Sequence, residues 1–151
     1  MELELMKTNS QNPGFIKLTQ MLDDELKERY GELQKQYDKY NRTYYIKDVF
    51  VVYKAKEPIA CGAFKRYDSE TVELKRIFVT KENRGQHISE LILMELEGLA
   101  KYDGYKYAVL ETGRKQPEAI GLYKNHGYSE IENYGPYVHN DNSICMRKNL
   151  Y

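Results

Sequence analysis

Hydrophobic and polar positions alternate with period two over Glu2–Lys7, where Leu3 and Leu5 oppose Glu2 and Glu4. This predicts a first strand with one polar face. Thr8–Gly14 is rich in Asn, Ser, Pro and Gly and reads as a loop. The period then changes: Phe15, Leu18, Met21 or Leu22, Leu26, Tyr30 and Leu33 recur at helical spacings, which predicts helix from Phe15 to about Tyr40. Gly31 is a point at which this helix can divide in two, because a mid-helix glycine costs up to ~1 kcal/mol relative to alanine. Apolar runs at Val49–Tyr53, Ile59–Arg66 and Thr71–Val79 are joined by short turns and predict an antiparallel meander. A helix follows from Ile88 to about Tyr102, with Ile88, Ile92, Leu96 and Leu99 on one face and Gly104 suited to a left-handed C-cap. Tyr107–Glu111 is a short strand, and strand-helix-strand connectivity favours parallel pairing with the strand ending at Val79. Pro117 fits the first position of a short helix reaching Asn125, with Tyr123 inward and Gly127 closing it. The last strands are Tyr128–Asn133 and Ser143–Lys148.

This order, β-α-(α)-β-β-β-α-β-α-β-β, implies one α/β domain over residues 1–151. Its mixed central sheet has about six to seven strands, an antiparallel meander plus one parallel pair, flanked by helices.

The strand ending at Val79 and the helix starting at Ile88 are joined by a short charged loop. The first N–H groups of a helix have no internal acceptor and sit at the positive end of its dipole. A diphosphate fits such an end. The loop reads Arg84-Gly85-Gln86-His87-Ile88-Ser89. Alone it is a weak signal, since it has neither the GK[ST] of a Walker loop nor the three glycines of a dinucleotide fingerprint.

Composition narrows the alternatives. The chain has 23 basic and 23 acidic residues, so no basic surface points to nucleic acid or an anionic membrane. No apolar run reaches the roughly 18 residues of a transmembrane helix, and the N-terminus lacks the pattern of a signal peptide. Cys61 and Cys145 lie far apart and belong to no metal-binding pattern, so two buried, reduced thiols are expected. His87, His126 and His139 share no ligand spacing, and no metal site is expected. A cytoplasmic location follows as an expectation.

Downstream, Leu110-Glu111-Thr112-Gly113 and the run Gln116-Pro117-Glu118-Ala119-Ile120-Gly121-Leu122-Tyr123-Lys124-Asn125-His126-Gly127-Tyr128 add specificity. Together with Arg76-Ile77-Phe78-Val79 and the loop, they resemble the GNAT superfamily of acetyl-CoA-dependent N-acyltransferases, whose coenzyme loop is written [Q/R]-x-x-G-x-[G/A]. His87 stands at the patterned glycine and Ser89 at the small residue. At motif level the resemblance covers about Glu73 to Tyr128. It implies a GNAT-like fold and acetyl-CoA as cosubstrate. The pantetheine arm would lie on the backbone of Ile77, Phe78 and Val79, with Thr112 opposite. The pyrophosphate would lie on Arg84, Gly85, Gln86, His87, Ile88 and Ser89.

The resemblance also implies Tyr123 as general acid to the departing thiolate and Glu73, six residues before Val79, as general base. A phenol of pKa ~10 suits the first role, and a carboxylate that accepts an ammonium proton suits the second. Against these stand plainer readings: Tyr123 as a packing residue, and Glu73 as a solvated carboxylate paired with Lys75. Tyr37, Tyr40, Tyr44, Tyr45, Tyr134 and Tyr137 are candidates for an aromatic wall around a small-molecule or peptide amine. His126 reads as a helix cap and His139 as a loop residue. The leading expectation is an N-acetyltransferase. The alternatives are a non-catalytic acyl-CoA-sensing module, or an interaction protein that forms a homodimer through its sheet edge or tyrosine-rich surface.

Overall fold

The computed structural model describes residues 2–31 and 45–151. Expectations about Leu33, Tyr37, Tyr40 and Tyr44 therefore lie outside the described residues. In chain order the elements are β1 (Leu3–Thr8), α1 (Pro13–Tyr30), β2 (Asp48–Lys54), β3 (Glu57–Arg66), β4 (Thr71–Val79), α2 (Ile88–Tyr102), β5 (Tyr107–Gly113), α3 (Pro117–Asn125), β6 (Ser129–Ile131) and β7 (Ser143–Asn149). Short 3-10 turns lie at Lys81–Asn83 and Gly135–Tyr137. The seven strands form one mixed sheet in the order β1-β2-β3-β4-β5-β7-β6. The single parallel pair expected from the strand-helix-strand unit is present, with Thr71, Val72 and Glu73 of β4 opposite Tyr107, Ala108 and Val109 of β5.

Residue contacts group the chain into two compact units. The first is the chain up to Lys65 together with Leu74–Leu99, and the second is Arg66–Glu73 with Ala100–Tyr151.

In the first unit, Asn12 starts α1 by accepting the Phe15 N–H at 3.0 Å, and Pro13 supplies a first turn that lacks a donor. Gly31, at φ 54°, returns its N–H to Lys27 and ends the helix at Tyr30. The glycine at which the long helix was expected to divide is thus its C-cap. Phe15 and Leu18 are fully buried against Val49, Val51, Cys61, Ala63 and Phe78, and each buried side chain of this size contributes about 1.5–3 kcal/mol. The opposite face of β3 meets α2 at Gly62. A Cβ there would lie 2.5 Å from Ile92 and 3.0 Å from Leu96, so only glycine admits the helix this close. Strand β1 pairs with β2 along Leu3–Thr8, yet Leu3, Leu5 and Met6 remain exposed.

In the second unit, Ala108, Leu110, Cys145 and Met146 are buried on the paired strands β5 and β7. Gly104 takes φ 93° after α2, the left-handed cap expected of it. Helix α3 ends on His126, whose N–H returns to Tyr123 and Lys124, before Gly127 at φ 91°. Strand β6 is shorter than the expected Tyr128–Asn133, because Asn133 turns out of the ladder to donate to three carbonyls of the following loop. Both cysteines are free and buried. Among the described residues, no helix is long and apolar enough to cross a membrane, and no group of His, Cys, Asp or Glu has the make-up of a metal site.

Candidate active site

The first unit carries the end of β4 and the anion loop. Within β4, Arg76 adopts φ 60°, a left-handed conformation unusual for a non-glycine residue. Its guanidinium is buried, donates to Asp23 Oδ1 at 2.9 Å and to the Thr19 carbonyl at 3.0 Å, and ties the strand to α1. The Cys61 thiol donates to the Arg76 carbonyl at 3.3 Å. Ile77, Phe78 and Val79 follow this irregularity, with Phe78 and Val79 buried.

The side chain of Arg84, a candidate coenzyme contact, folds back onto the protein. Nε donates to the Val79 carbonyl at 2.9 Å, Nη2 to Glu25 Oε2 of α1 at 2.6 Å, and the guanidinium lies 5.5 Å from the Phe78 ring centre. Gly85 takes φ 81° with open space around it, and His87 takes φ 61° in the same left-handed region. The His87 carbonyl accepts the Leu91 N–H, which makes His87 the N-cap of α2. Its ring is exposed and lies 3.2 Å from Glu90, so it points along the helix surface. Ile88 is buried and anchors the helix start. The N–H groups of Ile88 and Ser89 lie in the first turn, where no intrahelical acceptor exists. A helix start of this kind offers an anion backbone donors.

The second unit carries the titratable groups. Glu73 is only 6% exposed, and the Tyr134 hydroxyl donates to its Oε2 at 2.7 Å. On β5, Glu111 accepts the Ser143 hydroxyl at 2.7 Å, while Thr112 is buried opposite Ile144. Tyr123 of α3 is buried, with its ring edge-on to Tyr128 at 5.8 Å. Burial, reinforced by the Glu111 charge, pushes the Tyr123 phenol above its ordinary range. It therefore keeps its proton well into alkaline solution, as an acid must. Burial first, and then the Glu73 carboxylate, raise the Tyr134 phenol in the same way. Tyr134 lies beside Glu73 and Tyr67, with Tyr137 packed edge-on against its ring, whereas Tyr45 and His139 are exposed. Sequence reasoning missed the Tyr134–Glu73 bond, the Glu111–Ser143 bond and the part played by Arg76. These are long-range contacts with no local signal.

An acetyltransferase (GNAT) domain model matches residues 46–130, more than half of the chain. The chain belongs to the GNAT acetyltransferase family. That family uses acetyl-CoA. The matched span runs from the start of β2 into β6, and includes Glu73, the loop and Tyr123. Over 94 residues the GNAT chain is 35% identical to an IAA acetyltransferase of Azospirillum brasilense, covering 61% of each protein. Matches of this kind span 32% and 61% of the length of the first two curated relatives. The fold is similar to that of a Klebsiella pneumoniae protein assigned as an acyl-CoA N-acyltransferase, at TM-score 0.82, 26% identity, and 99% and 98% coverage. It is also similar to a PaiA N-acetyltransferase of Thermoplasma acidophilum in complex with coenzyme A, at TM-score 0.70, 16% identity and 99% coverage of both chains.

Proposed function

We propose that this chain is an acetyl-CoA-dependent N-acetyltransferase that acts on a primary amine of a small molecule or peptide. The reading covers a single catalytic domain over residues 1–151, working in the cytoplasm. It includes no metal, nucleic-acid or membrane partner, and homodimerisation is compatible with it. The observation that carries it is strand β4 itself. One strand bears a buried, hydrogen-bonded carboxylate at Glu73 and leads through Ile77, Phe78 and Val79 toward the loop and the helix start at Ile88, whose first-turn backbone donors have no intrahelical acceptor.

The chemistry needs a neutral amine, a polarised thioester carbonyl and a proton for the departing thiolate. Glu73 accepts the proton of the acceptor ammonium, so that the amine lone pair can attack. The new N–C bond forms as the C–S bond breaks, Tyr123 gives its phenolic proton to the sulfur, and the second proton shed by the acylated nitrogen restores the phenol. For an ammonium acceptor the balance is one amide, one thiol and one released proton. Backbone groups at Ile77, Phe78, Val79, Gly85, Gln86, His87, Ile88, Ser89 and Thr112 position the coenzyme, and positioning alone can supply much of the rate. Arg84 acts here by shaping the loop.

A second reading, a non-catalytic acyl-CoA-binding module, draws on His87 standing where the family pattern has glycine. One pair of measurements separates the two. Acetyl-CoA raises the melting temperature under both, by linkage. Only the enzyme releases free CoA thiol when an amine panel is added. Absence of both a thermal shift and calorimetric heat with acetyl-CoA removes the coenzyme from either reading.

A further inference from the structure

A cleft of about 500 Å³ opens on the second unit, where β5, β7 and β6 lie side by side. Its walls include Tyr107, Ser129, Arg147, Lys148, Asn149 and Tyr151, none of which has a part in the acetyl-transfer reading. Strand register builds the cleft. Tyr107 of β5 is opposite Asn149 of β7, and Ser129 of β6 is opposite Arg147. Directly opposed residues share a face of the sheet, as do positions two apart on one strand. Tyr107, Ser129, Arg147 and Asn149 therefore stand on the same side.

Arg147 differs from the other described arginines. Arg29 and Arg84 pair with Glu25, Arg76 pairs with Asp23, and Arg66 and Arg114 donate to the carbonyls of Asp68 and Asp141. Arg147 makes no ion pair and no side-chain hydrogen bond among the described residues. Its guanidinium carbon lies 3.9 Å from the centre of the Tyr107 ring. At that distance the group lies flat on the ring, since an N–H aimed at the ring would hold the carbon farther away. Stacking occupies one face of the guanidinium and leaves its in-plane N–H donors unspent. The Tyr151 ring meets Tyr107 edge-on at 5.9 Å, so the ring beneath Arg147 is itself packed.

We propose that this cleft binds a small organic oxyanion, a carboxylate or a phosphate monoester, through the in-plane N–H groups of Arg147. The guanidinium fork matches two oxygens of either group. Tyr107 holds the fork in place before a ligand arrives, so less side-chain freedom is lost on binding. Ser129 and Asn149 bring a hydroxyl and an amide to the same walls, and Lys148 brings a second cation. The exposed Tyr151 ring and Ile131 offer apolar surface to the body of the ligand. Acids on these segments do not oppose an anion there. Glu130, between Ser129 and Ile131 on β6, alternates to the other side of the sheet, and Glu70 is engaged by Lys106 at 3.0 Å. The volume is that of a small-molecule site.

The test follows the Arg147 Nε–H signal of the intact protein by NMR at low ionic strength, where screening is weak. Benzoate, phenyl phosphate and the neutral benzamide are the probes. At least one of the two anions should shift the signal saturably, with a Kd of about 1 mM or tighter, and the tighter of them assigns the class of ligand. Benzamide should leave the signal in place. Read on the backbone amides of Ser129 and Lys148, Arg147→Ala should weaken the anion at least about tenfold and Arg147→Lys several-fold, because lysine keeps the charge and loses the fork. The Tm of Arg147→Lys should match that of the wild type, and excess acetyl-CoA should not displace the anion. Absence of a saturable shift with both anions overturns the proposal. So does benzamide binding as tightly as the anions, wild-type affinity in Arg147→Ala, or displacement by acetyl-CoA.

Discussion

Replacing Arg84 distinguishes a loop clamp from a phosphate ligand. The guanidinium makes three contacts: Nε to the Val79 carbonyl at 2.9 Å, Nη2 to Glu25 at 2.6 Å, and its face near Phe78. The first is a hydrogen bond from a charged donor, a class worth about 1.5–3 kcal/mol, cut to about 1 kcal/mol at a side chain that is 38% exposed. The pair with Glu25 adds up to about 0.5 kcal/mol, because both groups are partly solvated and Glu25 keeps Arg29 as a second partner. The Phe78 contact adds about 0.5 kcal/mol. Arg84→Ala should therefore lose about 2 kcal/mol, or roughly 4–8 °C in Tm for a chain of this size. Acetyl-CoA KM should rise several-fold with kcat little changed, since the loop loses its tether to Val79 and α1.

The decisive variant is Arg84→Lys. An ammonium is a point charge and cannot make the Nε and Nη2 bonds together. If Arg84 clamps, lysine should behave nearly like alanine in both thermal denaturation and acetyl-CoA titration. If Arg84 instead supplies charge to the pyrophosphate, lysine should retain most of the affinity. A lysine variant with wild-type Tm and KM refutes the clamp.

Three further outcomes follow from other parts of the chain. Burial pushes the Cys61 thiol from 9.0 up to about 12, so the folded state holds a proton that the unfolded state loses. That stability is complete below about pH 9 and declines toward pH 12, with about 1.4 kcal/mol lost at pH 10. Urea midpoints should fall accordingly, and an equally steep fall in Cys61→Ala refutes the assignment. His87→Gly should relieve the left-handed strain at φ 61° for a net gain of about 0.5–1 kcal/mol, without weakening acetyl-CoA binding. A clear drop in Tm is the contrary result. Tyr123→Phe should lower kcat at least about tenfold, with the KM for acetyl-CoA little altered; an unchanged kcat removes the acid role.

What could be read in advance depended on whether a feature was local. Strand β4 and helix α2 have the expected bounds, because alternation over Thr71–Val79 and the stripe from Ile88 are strong periodic signals. Strand β3 begins at Glu57, two residues before the expected Ile59, because Pro58 sits beside a bulge opposite Tyr53 where its missing N–H is tolerated. The turn before it places Ala55 and Lys56 at φ 51° and 68° with no Gly or Asn to announce it. Tyr134 was visible only as one member of a set of tyrosines. What singles it out is a loop shaped by Asn133, and nothing periodic encodes that.

The same distinction bears on the stretch proposed to hold the coenzyme. Arg76 and His87 both hold left-handed backbone without being glycine, a conformation that costs roughly 1–2 kcal/mol each. Arg76 is held there by Asp23, the Thr19 carbonyl and the Cys61 thiol, although its buried Nε has no hydrogen-bond partner among the described residues. His87 is held by the N-cap bond to Leu91 and by its neighbour Ile88, which is buried. The two strained positions bracket Ile77, Phe78, Val79 and the loop. Strain that survives needs surrounding contacts to enforce it, and it gathers where geometry must be fixed in advance. Both ends of this stretch are therefore shaped before any ligand arrives. Arg84 and Arg76 fasten it to α1 at Glu25 and Asp23, so a change on α1 remote from the loop should register first as weaker coenzyme binding.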